Sequence, residues 1–175
     1  LACNGWWVLQ HDLLGCGDSS GDFADATWTA WLEDTVAAFR WLAVRSGITP
    51  QLWGLRLGCL LATDVIEFLA VRPSLLLWQP VLSGSVYLNQ FLRLRVASNA
   101  LASAGKLVST KELLQSLRDG ASLSVAGYRL SPMLAQEMAS AELHVPANHP
   151  SAILLCETGT TPGNESLSPG LLRKA

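Results

Sequence analysis

Gly54-Leu55-Arg56-Leu57-Gly58 decides how this chain is read. The pentapeptide has the G-x-S-x-G spacing of a tight strand-to-helix elbow, with arginine where that motif carries a nucleophilic serine. A turn of this kind calls for glycine on both sides of its apex, so that the helix can lie close to the strand. Gly54 and Gly58 occupy those places and are read as structural. Before them, Gln51, Leu52 and Trp53 read as the end of a buried strand; after them, Cys59, Leu60, Leu61 and Ala62 continue as an apolar helix. The surroundings fit the motif, and the apex does not.

Upstream, Trp28, Trp31, Leu32, Val36, Phe39 and Leu42 recur at helical intervals, predicting an amphipathic helix over 27–45 that Gly47 ends. Residues 6–10, Trp-Trp-Val-Leu-Gln, read as a buried strand, and the turn-rich residues 12–25 as a loop. Downstream, a helix is predicted over 57–71, stopped by Arg72-Pro73, and residues 74–78 read as a third strand. Apolar strands alternating with helices give an α/β class, a parallel sheet covered on both faces.

The alternation breaks over 83–143, where helical signals dominate and no core strand is evident. Ser109-Thr110-Lys111-Glu112 has the form of a capping box, Gly120 closes the helix it opens, and Ser131-Pro132 starts another. An insertion of this kind is expected over the carboxyl ends of the strands, as a lid. Residues 152–156 return to a buried strand with Glu157 at its carboxyl end; 158–169 read as loop, and Ser168-Pro169 as a helix start. The expected segments are a core over 1–82, a lid over 83–143 and a return to the core over 144–175. The chain opens on Leu1 and is in a predicted strand almost at once, so it reads as an internal fragment.

Composition narrows the classes of function. Half of the 175 residues are hydrophobic, seven of them tryptophan, which suits one folded domain with a substantial core. Twelve basic against fourteen acidic side chains, with no basic stripe, argue against a nucleic-acid partner. The uncharged stretch 73–92 carries Gln79, Pro80, Ser83, Gly84, Asn89 and Gln90, and reads as strand, loop and helix rather than a membrane span. Cys3, Cys16, Cys59 and Cys156 are widely spaced without a C-x-x-C pair. That pattern suggests neither zinc nor a disulfide framework, and fits reduced thiols in the cytoplasm. No metal and no cofactor is expected.

Two readings compete for the loop Asp12-Leu13-Leu14-Gly15-Cys16-Gly17-Asp18-Ser19-Ser20-Gly21. Its glycines could cradle a pyrophosphate. Asp18, Asp22 and Asp25 would crowd the phosphates, however, and the following helix begins too late for that fingerprint. Taken with the amphipathic helix and the elbow after it, the loop instead resembles the α/β-hydrolase fold. More narrowly, residues 12–23, 53–62, 78–80 and 125–128 resemble the exosortase A system-associated hydrolases of the second type. The resemblance implies a bacterial protein tied to exopolysaccharide production, a hydrolase acting on a small or saccharide-linked substrate. It also implies that the leading strands, an oxyanion-hole residue and a histidine loop lie outside this stretch.

A serine hydrolase needs a nucleophile, a histidine base, an acid and oxyanion donors. Arg56, at the apex, stays protonated and cannot attack. Its guanidinium suits a carboxylate or phosphate ligand, or else an internal salt bridge. Glu157 is placed as the acid, or as an ordinary solvated strand end. His11, His144 and His149 all precede it, although in this fold the base normally comes last. Leu55 and Leu57 beside the apex, Ser19 in the loop and Gln79 after the third predicted strand are the candidate binding residues, with Ser19 better suited to bonding its own turn than to acting as a nucleophile. Two expectations follow: an ester or acyl hydrolase, or a non-catalytic ligand-binding or interaction protein of the same fold.

Overall fold

The computed structural model describes residues 1–102, 108–146 and 148–158. The loop expected over 158–169 and the helix start at Ser168-Pro169 therefore lie outside the described residues, apart from Thr158. Helix α1, Trp28–Ser46, starts where the sequence places it: the Thr27 hydroxyl accepts from Ala30 N–H, and Gly47 closes the far end at φ 72°. Strand β1, Leu52–Leu55, leads through the elbow into helix α2, Leu57–Val65. The helix tightens into a 3-10 turn, Ile66–Phe68, and ends short of the expected residue 71. At this end the Arg72 guanidinium donates to the Leu69 carbonyl and shares the Ile66 carbonyl with Leu69 N–H, capping the last turn.

Strand β2, Leu75–Trp78, is followed by α3, Gly84–Ala102, and α4, Thr110–Arg118. The expected capping box is present: Glu112 N–H donates to Ser109 Oγ, and Ser109 N–H donates to the Glu112 carboxylate. A hairpin of β3, Leu123–Val125, and β4, Tyr128–Leu130, then leads to α5, Pro132–Ser140, and to β5, Ile153–Cys156. The hairpin is absent from the sequence reading. Its two-residue turn holds Ala126 at φ 49° and Gly127 at φ 90°, the paired left-handed conformations that let two short strands reverse.

The sheet is parallel in the order β1-β2-β5, with Trp53 beside Leu76 and Leu76 beside Leu154. The segment between β2 and β5 is pinched at its root, where Ser83 bridges Glu142, Gly84 N–H donates to Ala141 O and Leu143 N–H donates to Leu82 O. Gly84 is required there, because a β-carbon would stand 1.7 Å from the Met138 carbonyl oxygen. Beyond the root, Leu88, Leu92, Leu113, Leu134 and Met138 join Trp28, Trp31, Phe39 and Leu60 in one apolar cluster, so the inserted helices share a core with α1 and α2.

Two expectations are corrected. Residues 6–10 form no strand; Trp6, Trp7 and Val8 are exposed. A β-prone run becomes a strand only where a neighbour satisfies its backbone groups, and no such neighbour is present among the described residues. Among the described residues the sheet is covered on one face, where Leu52, Leu75, Leu77 and Leu155 pack on Cys59 and Ala62 of α2 and on Ile66 of the 3-10 turn. On the other face Trp53 is 52% exposed, Leu55 58% and Leu154 59%, with Trp78 stacked against Trp53 at 5.7 Å.

Candidate functional site

The carboxyl ends of the three parallel strands bring Arg56, Gln79 and Glu157 to one edge of the sheet. Backbone bonds set the spacing: Arg56 N–H donates to Trp78 O at 3.0 Å, and Gln79 N–H to Cys156 O at 2.7 Å. Ligands of open α/β sheets bind at this end of the strands, where the loops diverge. Arg56 and Gln79 are also two of the three non-glycine residues with positive φ among the described residues, at 52° and 49°. Such conformations cost about 1–3 kcal/mol each and gather at functional sites, because surrounding contacts must hold them in place.

The elbow is built as the glycine pattern predicts on one side only. A β-carbon on Gly54 would lie 2.4 Å from the Gly58 carbonyl oxygen, so the strand needs glycine there. A β-carbon on Gly58 meets open space, which corrects the expectation that both glycines are sterically required. The Cys59 thiol fills the inside of the turn, 3.2 Å from Gly54 O, and burial pushes it up to about 11. It is a packed thiol, held protonated at neutral pH.

At the apex the Arg56 guanidinium leaves the sheet edge and donates through Nη2 to Gln90 Oε1 of α3 at 2.6 Å. Among the described residues no carboxylate lies within 4.0 Å of it, so the internal salt bridge is not formed there. Gln79 reaches across β5 to bond the hydroxyl of Thr158. Neither Gln90 nor Thr158 is among the sequence candidates. Only the crossing of separate elements brings them here, and no local pattern marks them.

The remaining candidates divide. Leu55 is exposed on the uncovered sheet face, while Leu57 turns inward and lines a cavity. Ser19 is half-buried in the loop after residue 11 and its backbone N–H donates to Cys16 O. That loop winds around Asp12, whose carboxylate accepts from Asp18 N–H at 3.0 Å, and α1 holds it through Asp34 and Trp31 bonds to Leu14. A loop centred on a carboxylate is poorly suited to phosphate. His149 bonds Pro73 O, at the amino end of β2 and opposite the candidate site, and His144 stands near Asp64. Neither is placed to serve as a base for the elbow. No group of three potential metal ligands occurs among the described residues.

The cavity has a volume of about 240 Å³ and lies between the elbow, α1, α3, the hairpin and α5. Its walls include Phe23, Trp31, Leu57, Phe91, Leu134 and Met138, with Cys16, Tyr87 and Tyr128 supplying the polar atoms. Phe23 packs on Tyr128 at 5.0 Å and on Trp31 at 5.9 Å, joining the loop, hairpin and α1 around it. Tyr87 and Phe91, one turn apart on α3, are not among the sequence candidates; only the packing of α3 makes them a cavity wall.

A parallel sheet with its helical connections and elbow defines an α/β protein of the α/β-hydrolase type. The comparisons agree at that level. Over 70 residues the chain is 39% identical to Protein ABHD12B of Homo sapiens, an α/β-hydrolase domain protein; the match takes in 39% of this chain and 18% of that protein. No family model matches the chain. The relation to α/β-hydrolases is distant. No helix among the described residues is long and apolar enough to cross a membrane.

Proposed function

We propose that this protein is a non-catalytic α/β-hydrolase-fold protein that binds a small ligand at the carboxyl edge of its sheet. The observation that carries the reading is Arg56: a permanently charged, exposed side chain held at the strained apex and bonded to a neutral amide, one residue before Leu57, which lines a cavity. The turn that would present a nucleophile presents a cation instead. Gln79 and Glu157 complete the edge, and the inserted segment acts as a lid over it. The resemblance to exosortase A system-associated hydrolases supports a place in bacterial exopolysaccharide production, on the cytoplasmic side.

A serine-reactive phosphonate probe and a panel of short and long acyl esters test this reading on the purified protein. No labelling and no turnover above buffer are expected. The second reading, an ester or acyl hydrolase of the same system, is favoured by the retained elbow. Turnover abolished by a point change at Arg56, Gln79 or Glu157 would establish it and overturn the first.

A further inference from the structure

We propose that the ligand is a short-chain amphiphilic carboxylic acid, with its tail in the cavity beside the elbow and its carboxylate on Arg56 in exchange for Gln90. The inference rests on the ligand-binding reading and specifies its chemistry. Leu57 follows Arg56 directly, and Tyr87 and Phe91 flank Gln90 on α3, so the Arg56–Gln90 bond adjoins the cavity wall on both of the elements it joins. A ligand lying along the cavity can therefore put one end in the apolar space and the other against the guanidinium.

Charge fixes which end goes where. Where Cys16 lines the cavity, its thiol is raised by burial first and then by the carboxylates of Asp12 and Asp34. An anionic head at that end would meet two negative charges. At the Arg56 end it meets a guanidinium with no carboxylate among the described residues within 4.0 Å. Exchanging the Gln90 amide oxygen for a carboxylate replaces a single bond to a neutral acceptor with a bidentate pair in which donor and acceptor are both charged. An ester or alcohol gains nothing from the exchange. The volume bounds the tail: at about 30 Å³ per methylene-sized group, as for water in the liquid, roughly eight such groups fill the space.

The test is titration of the whole protein with octanoate and with octan-1-ol at neutral pH, by calorimetry and by Trp31-sensitive fluorescence. Wild type and Arg56→Gln are compared, with folding checked by circular dichroism. Saturable octanoate binding, at least tenfold tighter than octanol and reduced at least tenfold by Arg56→Gln without change in octanol affinity, is expected. Butanoate should bind more weakly than octanoate, and dodecanoate no more tightly. Octanol binding as tightly as octanoate, or octanoate binding unchanged in Arg56→Gln, overturns the carboxylate assignment while leaving the cavity as a ligand site. No binding of octanoate to wild type also overturns the inference. The ester panel separately decides the non-catalytic reading beneath it.

Discussion

Arg56 sits at φ 52° and ψ −111°, a region that glycine enters without steric cost and a side chain with β-carbon does not. An arginine there is tolerated because the strand before it and the helix after it leave the chain no other route. Arg56→Gly should therefore raise stability by about 1 kcal/mol, seen as a higher Tm in thermal unfolding; an unchanged or lower Tm would mean that the Gln90 bond outweighs the strain. The glycines flanking the apex should separate in the same assay. Gly54→Ala drives a methyl into the Gly58 carbonyl and should lower Tm by several degrees, whereas Gly58→Ala should leave it level or slightly higher, since alanine is the better helix former.

At the scale of elements, the inserted segment is clasped to the core by polar bonds as well as by shared apolar packing. Glu137 of α5 accepts from Trp28 N–H at 2.7 Å, satisfying one of the amides that the start of α1 leaves open. Asp64 of α2 accepts from the Trp28 indole at 2.8 Å. Burial raises the Asp64 carboxyl above its ordinary value of 3.8, offset in part by that indole bond and by His144. The folded protein thus keeps a proton that the unfolded chain has released. Its stabilising contribution is complete below the unfolded value and is lost as pH rises through the folded one. Asp64→Asn keeps an acceptor for the indole and removes the titration. Its stability should be at least that of wild type at neutral pH, with a flatter pH profile through the acidic range in urea unfolding.

On the scale of the whole molecule, an apolar sheet face carrying Trp53, Leu55, Trp78 and Leu154 is left exposed by the described residues, among which β1 is an edge strand. Exposed patches and unpaired edges of this kind draw other chains. Self-association that rises with protein concentration is expected in size-exclusion chromatography with light scattering, and Trp53→Lys should reduce it. An equally associated variant would locate the contact elsewhere. Residues 6–10 belong to the same account. Their strand-forming composition was legible, but their pairing depends on a neighbouring strand that the described structure does not provide.

Local chemistry determined much of this protein. The elbow, the limits of α1, the capping box of α4 and the Ser131-Pro132 start of α5 are set by residues a few positions apart, so the sequence alone displayed them. The cluster at the carboxyl edge was partly legible for the same reason, since a strand end announces its own last residue. What the tertiary structure decided involves residues far apart in the chain: Gln90 against Arg56, Thr158 against Gln79, a cavity walled by five elements, and a sheet with one face covered. Those contacts depend on where whole elements come to rest, which periodicity does not encode. The arginine at the apex is plain in the sequence; its neutral partner, and the apolar space beside it, arise only from the packing of α3 against α2 and α5.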